Sequence, residues 1–340
     1  MRLGKLAACV LDLANILPKR HQTDAGQRDK SDINEKGPLP WTFRAAMKEK
    51  CMKTIKFTKM QGCGNDYVYI NGFSEHVNDP SALAKRVSDR HFGIGSDGLV
   101  IMEPSNRADV RMRMFNPDGT EAQMCGNATR CVARYVYERG LVREKVIRIE
   151  TGAGIKVARL ILDEGQVSGA TIDMGEPILG MAAIPLKVAE GQDPNAMYVK
   201  KSLEIMGQTW NVTCVSMGNP HCVVFLGEND PELMDMDLEK IGPCFEHNEL
   251  FPERINTEFV RVKSVTSVEM RVWERGTGET MACGTGACAT AVACALNNLT
   301  GRTVDVRLRG GTLRINWNEH DNHVYMTGPA VPVFDGTLYL

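Results

Sequence analysis

At 340 residues the chain can bury two ordinary cores, and its 43% hydrophobic and 24% charged residues are those of a soluble globular protein. A net charge of −2 with mixed signs leaves no basic footprint for nucleic acid, and no apolar run reaches the roughly 18 residues that suggest a membrane span. Eleven cysteines with no secretory signal and no short disulfide framework point to free thiols in a reducing cytoplasm.

Residues 1–51 carry ten basic and six acidic side chains, few aromatics and a turn-rich middle. Asp12 interrupts the opening apolar stretch, which also lacks a small-residue cleavage site, so it reads as neither a signal nor a transit peptide. The expectation is a disordered extension, or a start codon assigned upstream of Met52; a regulatory or docking segment is the alternative. From Met52 onward, β-rich runs fall at 55–59, 67–71, 98–102, 110–115 and 146–150. They resume at 157–162, 170–174, 212–216, 222–226, 257–262, 267–273, 303–308, 312–316 and 323–327. Helical patterning is confined to 82–90, 127–139 and 286–296. The expected fold is α+β, with two pseudo-symmetric β-rich lobes each wrapped around a central helix. One lobe, at 52–172 plus 328–340, holds Cys125; the other, at 173–327, holds Cys283.

The two halves repeat a motif. With Cys125 set on Cys283, Phe115-Asn116 falls on Trp273-Glu274, Glu121 on Glu279, and Cys125-Gly126-Asn127 on Cys283-Gly284-Thr285. Gly64-Asn65-Asp66-Tyr67-Val68-Tyr69 answers to Gly218-Asn219-Pro220-His221-Cys222-Val223, and each cysteine follows its asparagine at nearly the same distance, 60 and 64 residues. Two similar halves that each supply a thiol suit inversion of a carbon stereocentre, in which a base takes a proton from one face and an acid returns one to the other. Gly126 and Gly284 let backbone approach a ligand, while Asn127 and Thr285 are good N-cap types. Free N–H groups at a helix start bind anions and favour a thiolate, and they can stabilise charge moving onto a carboxylate as the α-proton leaves. Cys131, Cys288 and Cys294 read instead as small apolar packing residues. No C-x-x-C motif, P-loop or complete G-x-G-x-x-G occurs, so neither a metal nor a cofactor is expected.

Six stretches carry a resemblance. Met60-Gln61-Gly62-Cys63-Gly64-Asn65-Asp66, Gly93-Ile94-Gly95-Ser96-Asp97, Phe115-Asn116-Pro117-Asp118-Gly119, Met124-Cys125-Gly126-Asn127, Gly218-Asn219-Pro220-His221, and the run Glu274 through Gly286 together resemble the diaminopimelate epimerase family, from about Met52 to the C-terminus. The resemblance implies a cofactor-independent isomerase that interconverts LL- and meso-2,6-diaminopimelate, on the route to lysine and peptidoglycan, with a small-molecule substrate and a homodimeric assembly. It implies Cys125 and Cys283 as acid and base. Gly126, Asn127, Gly284 and Thr285 would hold the carboxylate at the reacting centre, with Asn65 beside it. Asn116, Asn219, Asn256, Glu274 and Arg275 would read the distant amino-acid end, where an arginine fork suits a carboxylate and a glutamate an ammonium. His221 is placed to set the protonation of Cys125, with Glu274 serving Cys283; a histidine satisfied by backbone is the alternative. Two positions depart from the family pattern: Gly98 stands where some members have a substrate-contacting Gln, and Ala128 where many have Gly. A thiol redox protein, a non-catalytic binding protein and a racemase of another amino acid are the competing readings.

Overall fold

Strands dominate because β-branched and aromatic residues alternate with polar ones in short runs cut by glycine turns. The computed structural model describes residues 53–340 as one compact unit, and the expected extension at 1–51 lies outside them. The first strands are β1 (Thr54–Gly62), β2 (Asn65–Asn71), β3 (Leu99–Glu103), β4 (Val110–Phe115), β5 (Glu121–Ala122), β6 (Val146–Thr151), β7 (Gly154–Asp163), β8 (Gln166–Asp173) and β9 (Lys201–Ile205). They are followed by β10 (Gln208–Ser216), β11 (Pro220–Phe225), β12 (Asn256–Ser264), β13 (Ser267–Glu274), β14 (Gly278–Glu279), β15 (Thr303–Leu308), β16 (Gly311–Trp317), β17 (Val324–Pro329) and β18 (Val331–Tyr339). The helices are α1 (Pro80–Ser88), α2 (Gly126–Glu138), α3 (Leu238–Glu246) and α4 (Gly284–Leu296).

The pairing pattern is written twice. β1–β2 is antiparallel, β2–β3 parallel, β3–β4 and β4–β5 antiparallel, β4–β6 parallel, and β6–β7–β8 antiparallel. The series β10 to β17 repeats these relations strand for strand, with α2 and α4 at equivalent points between the fifth and sixth members. The two series join where β8 pairs with β17, from Tyr325↔Asp173 to Pro329↔Gly169. β18 lies on β1 as β9 lies on β10. The mixed, sheet-rich architecture with few helices is the expected α+β class.

Each long helix is buried mainly by its own strand series. In α4 every residue from Gly286 to Cys294 is buried, as a helix enclosed on all sides requires, and its small Ala, Gly and Cys side chains let the strands come close. Cys131 of α2 and Cys288 and Cys294 of α4 sit in this core with no exposed surface. α1 begins at Pro80 rather than at 82, because Asp79 accepts the Ala82 N–H and proline suits the first turn. Among the described residues no helix is long and apolar enough to cross a membrane.

Candidate active site

The repeated motifs fold into two turns and two helix starts. β1 closes onto β2 through Cys63 and Gly64, both at positive φ (55° and 78°), the geometry of a two-residue hairpin whose twist matches its strands. That turn leaves Asn65 at the head of β2. The equivalent turn between β10 and β11 carries Gly218 at φ 95° and presents Asn219.

Cys125 and Cys283 are themselves the N-cap residues of α2 and α4, in extended conformation with φ −140° and −113°. This corrects the expectation for Asn127 and Thr285, which lie inside the first helical turn. The backbone turns into the helix at the cysteine, so the thiol stands at the positive end of the helix. The Gly286 N–H donates to Cys283 Sγ at 3.4 Å, and the Thr285 hydroxyl lies 3.5 Å from the same sulfur. The Cys125 thiol donates to Asn65 Oδ1 at 3.3 Å.

Both helix starts rest on one side chain. A methyl group on Gly126 would lie 2.4 Å from Cε of Met326, and one on Gly284 would lie 3.0 Å from its Sδ and 4.0 Å from Asn127 Oδ1. Met326, on β17, is fully buried. The two glycines therefore let two N-termini, each bearing a thiol, converge on a common floor.

A scaffold of charge holds the Cys125 side. Asn65 Nδ2 donates to Asp97 Oδ2 at 2.8 Å, and Arg90 bridges Asp97 (2.9 Å) and Asp66 (3.1 Å). Lys59 pairs with Asp66 at 2.5 Å and donates to the Gly95 carbonyl. The Gly93–Asp97 motif thus fixes the asparagine that meets the thiol. Behind Asn127, the wholly buried Arg130 donates to its Oδ1 at 2.8 Å and to the Pro329 carbonyl at 3.0 Å, with no carboxylate partner among the described residues.

The electrostatics of the two thiols differ. Burial pushes the Cys125 thiol up from its ordinary value, opposed by the Ala128 and Asn127 N–H groups and by Arg130. Burial pushes Cys283 well above its ordinary value, and the nearby carboxylates of Glu274 and Glu258 push the same way. Glu274 is itself raised by burial, which is offset by hydrogen bonds from Thr280, at 2.5 Å, and from Cys283. Glu274 therefore stands beside Cys283.

His221 stands elsewhere. Its Nδ1 lies 2.7 Å from Glu258 Oε1 and its Nε2 3.1 Å from Asn219 Oδ1, so both ring nitrogens are engaged, and Cys125 has Asn65 as its partner instead. The ring is held by side chains rather than by backbone. Asn256 is buried with its amide spent on the main chain, donating to the Pro220 carbonyl at 3.0 Å and accepting the Arg275 N–H at 3.0 Å. It thereby sets the course of the chain into Arg275. The Arg275 guanidinium donates to the Glu253 carbonyl at 3.0 Å and has no carboxylate partner among the described residues. Asn116 is held within its own turn, donating to Thr120 Oγ1 at 3.0 Å.

Glu258, Arg130 and Met326 were not singled out from sequence. An acidic residue in an alternating strand, an arginine in a helix and a lone methionine carry no local mark of their surroundings. At Gly98 (φ 152°) a side chain would strike the Phe115 carbonyl and the Tyr67 ring, at 2.2 and 2.9 Å, so Tyr67 occupies the space a glutamine would need.

The sequence profile of the diaminopimelate epimerase family matches residues 57–179 and 213–333. The chain is 58% identical over 287 residues to a diaminopimelate epimerase of Desulfovibrio desulfuricans, covering 84% of this chain and 99% of that one. It is 56% identical over 286 residues to one of Acetivibrio thermocellus, with the same coverage of both. Among solved structures, a hydroxyproline epimerase from Agrobacterium vitis with bound trans-4-hydroxy-L-proline shares the fold at TM-score 0.59 and 14% identity, over 85% of this chain and 92% of that one. A Bacillus anthracis protein of the PhzF phenazine-biosynthesis family does so at TM-score 0.57 and 18% identity, over 85% and 100%. With this site, this strand order and these matches, the chain belongs to the diaminopimelate epimerase family.

Proposed function

We propose that the protein interconverts LL- and meso-2,6-diaminopimelate by moving protons between two thiols on opposite faces of one α-carbon. The observation that carries this reading is the convergence of two cysteine-capped helix starts on Met326. A substrate carboxylate seated against the N–H groups at Gly126–Asn127 and Gly284–Thr285 brings its α-carbon between the sulfurs. One cysteine, as thiolate, takes the α-proton. The electron pair left on carbon delocalises into the carboxylate, where the helix N–H groups stabilise the added charge. The other cysteine, as thiol, gives its proton to the opposite face and is left as thiolate. Each turnover inverts the centre and exchanges the protonation states of the two sulfurs, so no other reactant is consumed.

Asn65 orients the Cys125 thiol, and Glu274 keeps Cys283 protonated. Arg275, without a carboxylate partner in the protein, binds the distal carboxylate by a two-pronged contact, assisted by Asn219 and Asn116. Asn256 supports Arg275 through the backbone. The two repeated strand series correspond to two lobes that hold the thiols, and cytoplasmic lysine and peptidoglycan precursor synthesis is the setting that fits this substrate. Incubation with LL-diaminopimelate in deuterated water, without added cofactor, tests the reading. The expected result is meso product carrying solvent deuterium at the inverted α-carbon. Racemisation of proline or another monoamino acid at an equal rate would overturn the substrate while sparing the two-thiol chemistry.

A further inference from the structure

Glu258 enters the chemistry described so far only through its effect on the Cys283 thiol, and its carboxylate lies inside the core. It and His221 have no exposed side-chain surface, and its Oε2 has no hydrogen-bond partner among the described residues. On β12 it shares the inward face with Val260, which packs among the α4 residues, while Phe259 points into a separate cluster with Trp210 and Phe245. It presses on the start of α4: a methyl group on Gly286 would lie 2.5 Å from Glu258 Oε1. A buried carboxylate with one free oxygen is costly unless its charge is matched.

The contacts set the donors and acceptors. Nδ1 and Oε1 at 2.7 Å can approach so closely only with a proton between them. Nε2 lies 3.1 Å from Asn219 Oδ1, which only accepts, so Nε2 carries a hydrogen and donates it, with the Asn219 oxygen facing inward. The Asn219 NH2 group is left pointing the other way, with no partner among the described residues and with the side chain only half-buried.

We propose that Glu258 is a positioning residue: by engaging His221 Nδ1 it presents Nε2–H to Asn219 Oδ1, and so locks the Asn219 amide with its NH2 toward the substrate's distal carboxylate. An acceptor there would repel that carboxylate, so amide orientation decides between attraction and repulsion. The proposal rests on the substrate reading above only for the identity of what Asn219 meets.

The test has two arms. Ring nitrogens of the 15N-histidine-labelled, substrate-free full-length protein are assigned by NMR, with His221→Gln used to identify the signal. His221 Nε2 should carry a hydrogen in the wild type, and in Glu258→Gln, whose amide can meet Nδ1 as donor or acceptor, that single placement should be lost. Nε2 found unprotonated in the wild type would overturn the proposal; because substrate is absent, that failure is distinct from failure of the diaminopimelate assignment. In kinetics, Glu258→Gln no longer fixes Nε2 as a donor and lets the Asn219 amide turn over, so KM for diaminopimelate should rise about 5- to 10-fold, a larger change than in kcat. A fall in kcat at unchanged KM would assign Glu258 to the thiol chemistry instead, and unchanged constants would remove it from the site.

Discussion

Gly126→Ala adds one methyl group where the two helix starts share Met326. The new carbon would lie 2.4 Å from Met326 Cε and 3.7 Å from Met174 Cε and Sδ, so the Met326 tip has to give way. Met326 has no exposed surface and must leave its rotamer or push α2 aside. Overpacking of this kind costs about 1–3 kcal/mol, against a gain of at most about 1 kcal/mol from replacing glycine in a helix. A net loss of about 1–2 kcal/mol is expected, read as a lower urea midpoint at unchanged slope. Displacing the Cys125 helix start by a fraction of an ångström should also lower kcat about 10- to 100-fold, because proton transfer depends steeply on approach geometry. Gly284→Ala, with 3.0 Å to Met326 Sδ, should be milder on both counts. Combining Gly126→Ala with Met326→Ala should be less destabilising than the sum of the single changes by about 1 kcal/mol or more, since the cavity admits the methyl group. If Gly126→Ala matched the wild type in both stability and kcat, the shared floor beneath the two helix starts would be refuted.

Sulfurs close enough to flank one carbon can join, so air oxidation of the empty enzyme should abolish activity and a reductant should restore it; activity indifferent to both treatments would count against facing thiols. Arg275→Lys replaces a planar fork by a point charge and should raise KM for diaminopimelate about 10-fold or more with a smaller change in kcat, measured by steady-state assay. The pH profile follows from the sign of the thiol shifts. Burial raises both, and Cys283 further than Cys125 with Glu274 and Glu258 beside it. Since one thiol must be ionised and the other protonated, kcat/KM should climb into the alkaline range as Cys125 loses its proton and fall only at higher pH as Cys283 does. A profile already flat at mildly acidic pH would contradict this order.

The parts visible in the sequence are those specified by local chemistry. Glycine after each cysteine marks a helix start, and Gly64 and Gly218 mark the turns that present Asn65 and Asn219, so the repeated halves stand out from spacing alone. The junction of the halves does not, because the β8–β17 pairing spans some 150 residues and leaves no local signal. α3 is obscured by Pro243 within it, although Asp237 caps it at the Lys240 N–H. The assignment of His221 to Cys125 followed the motif's internal symmetry, but the real partner, Glu258, lies 37 residues away on the neighbouring parallel strand. Its burial depends on strand order, which the alternating pattern of β12 does not reveal. The same limit applies to Met326, where a methionine near the C-terminus becomes the contact between the two helix starts.

The central claim is that two thiols act on opposite faces of one carbon, and it is tested most directly by changing each separately. Cys125→Ala and Cys283→Ala should each retain no measurable epimerisation of LL- or meso-diaminopimelate while keeping the wild-type stability in urea unfolding to within about 1 kcal/mol, because truncating a single sulfur costs little packing. Turnover above a few per cent of wild type in either folded variant would contradict the two-thiol account.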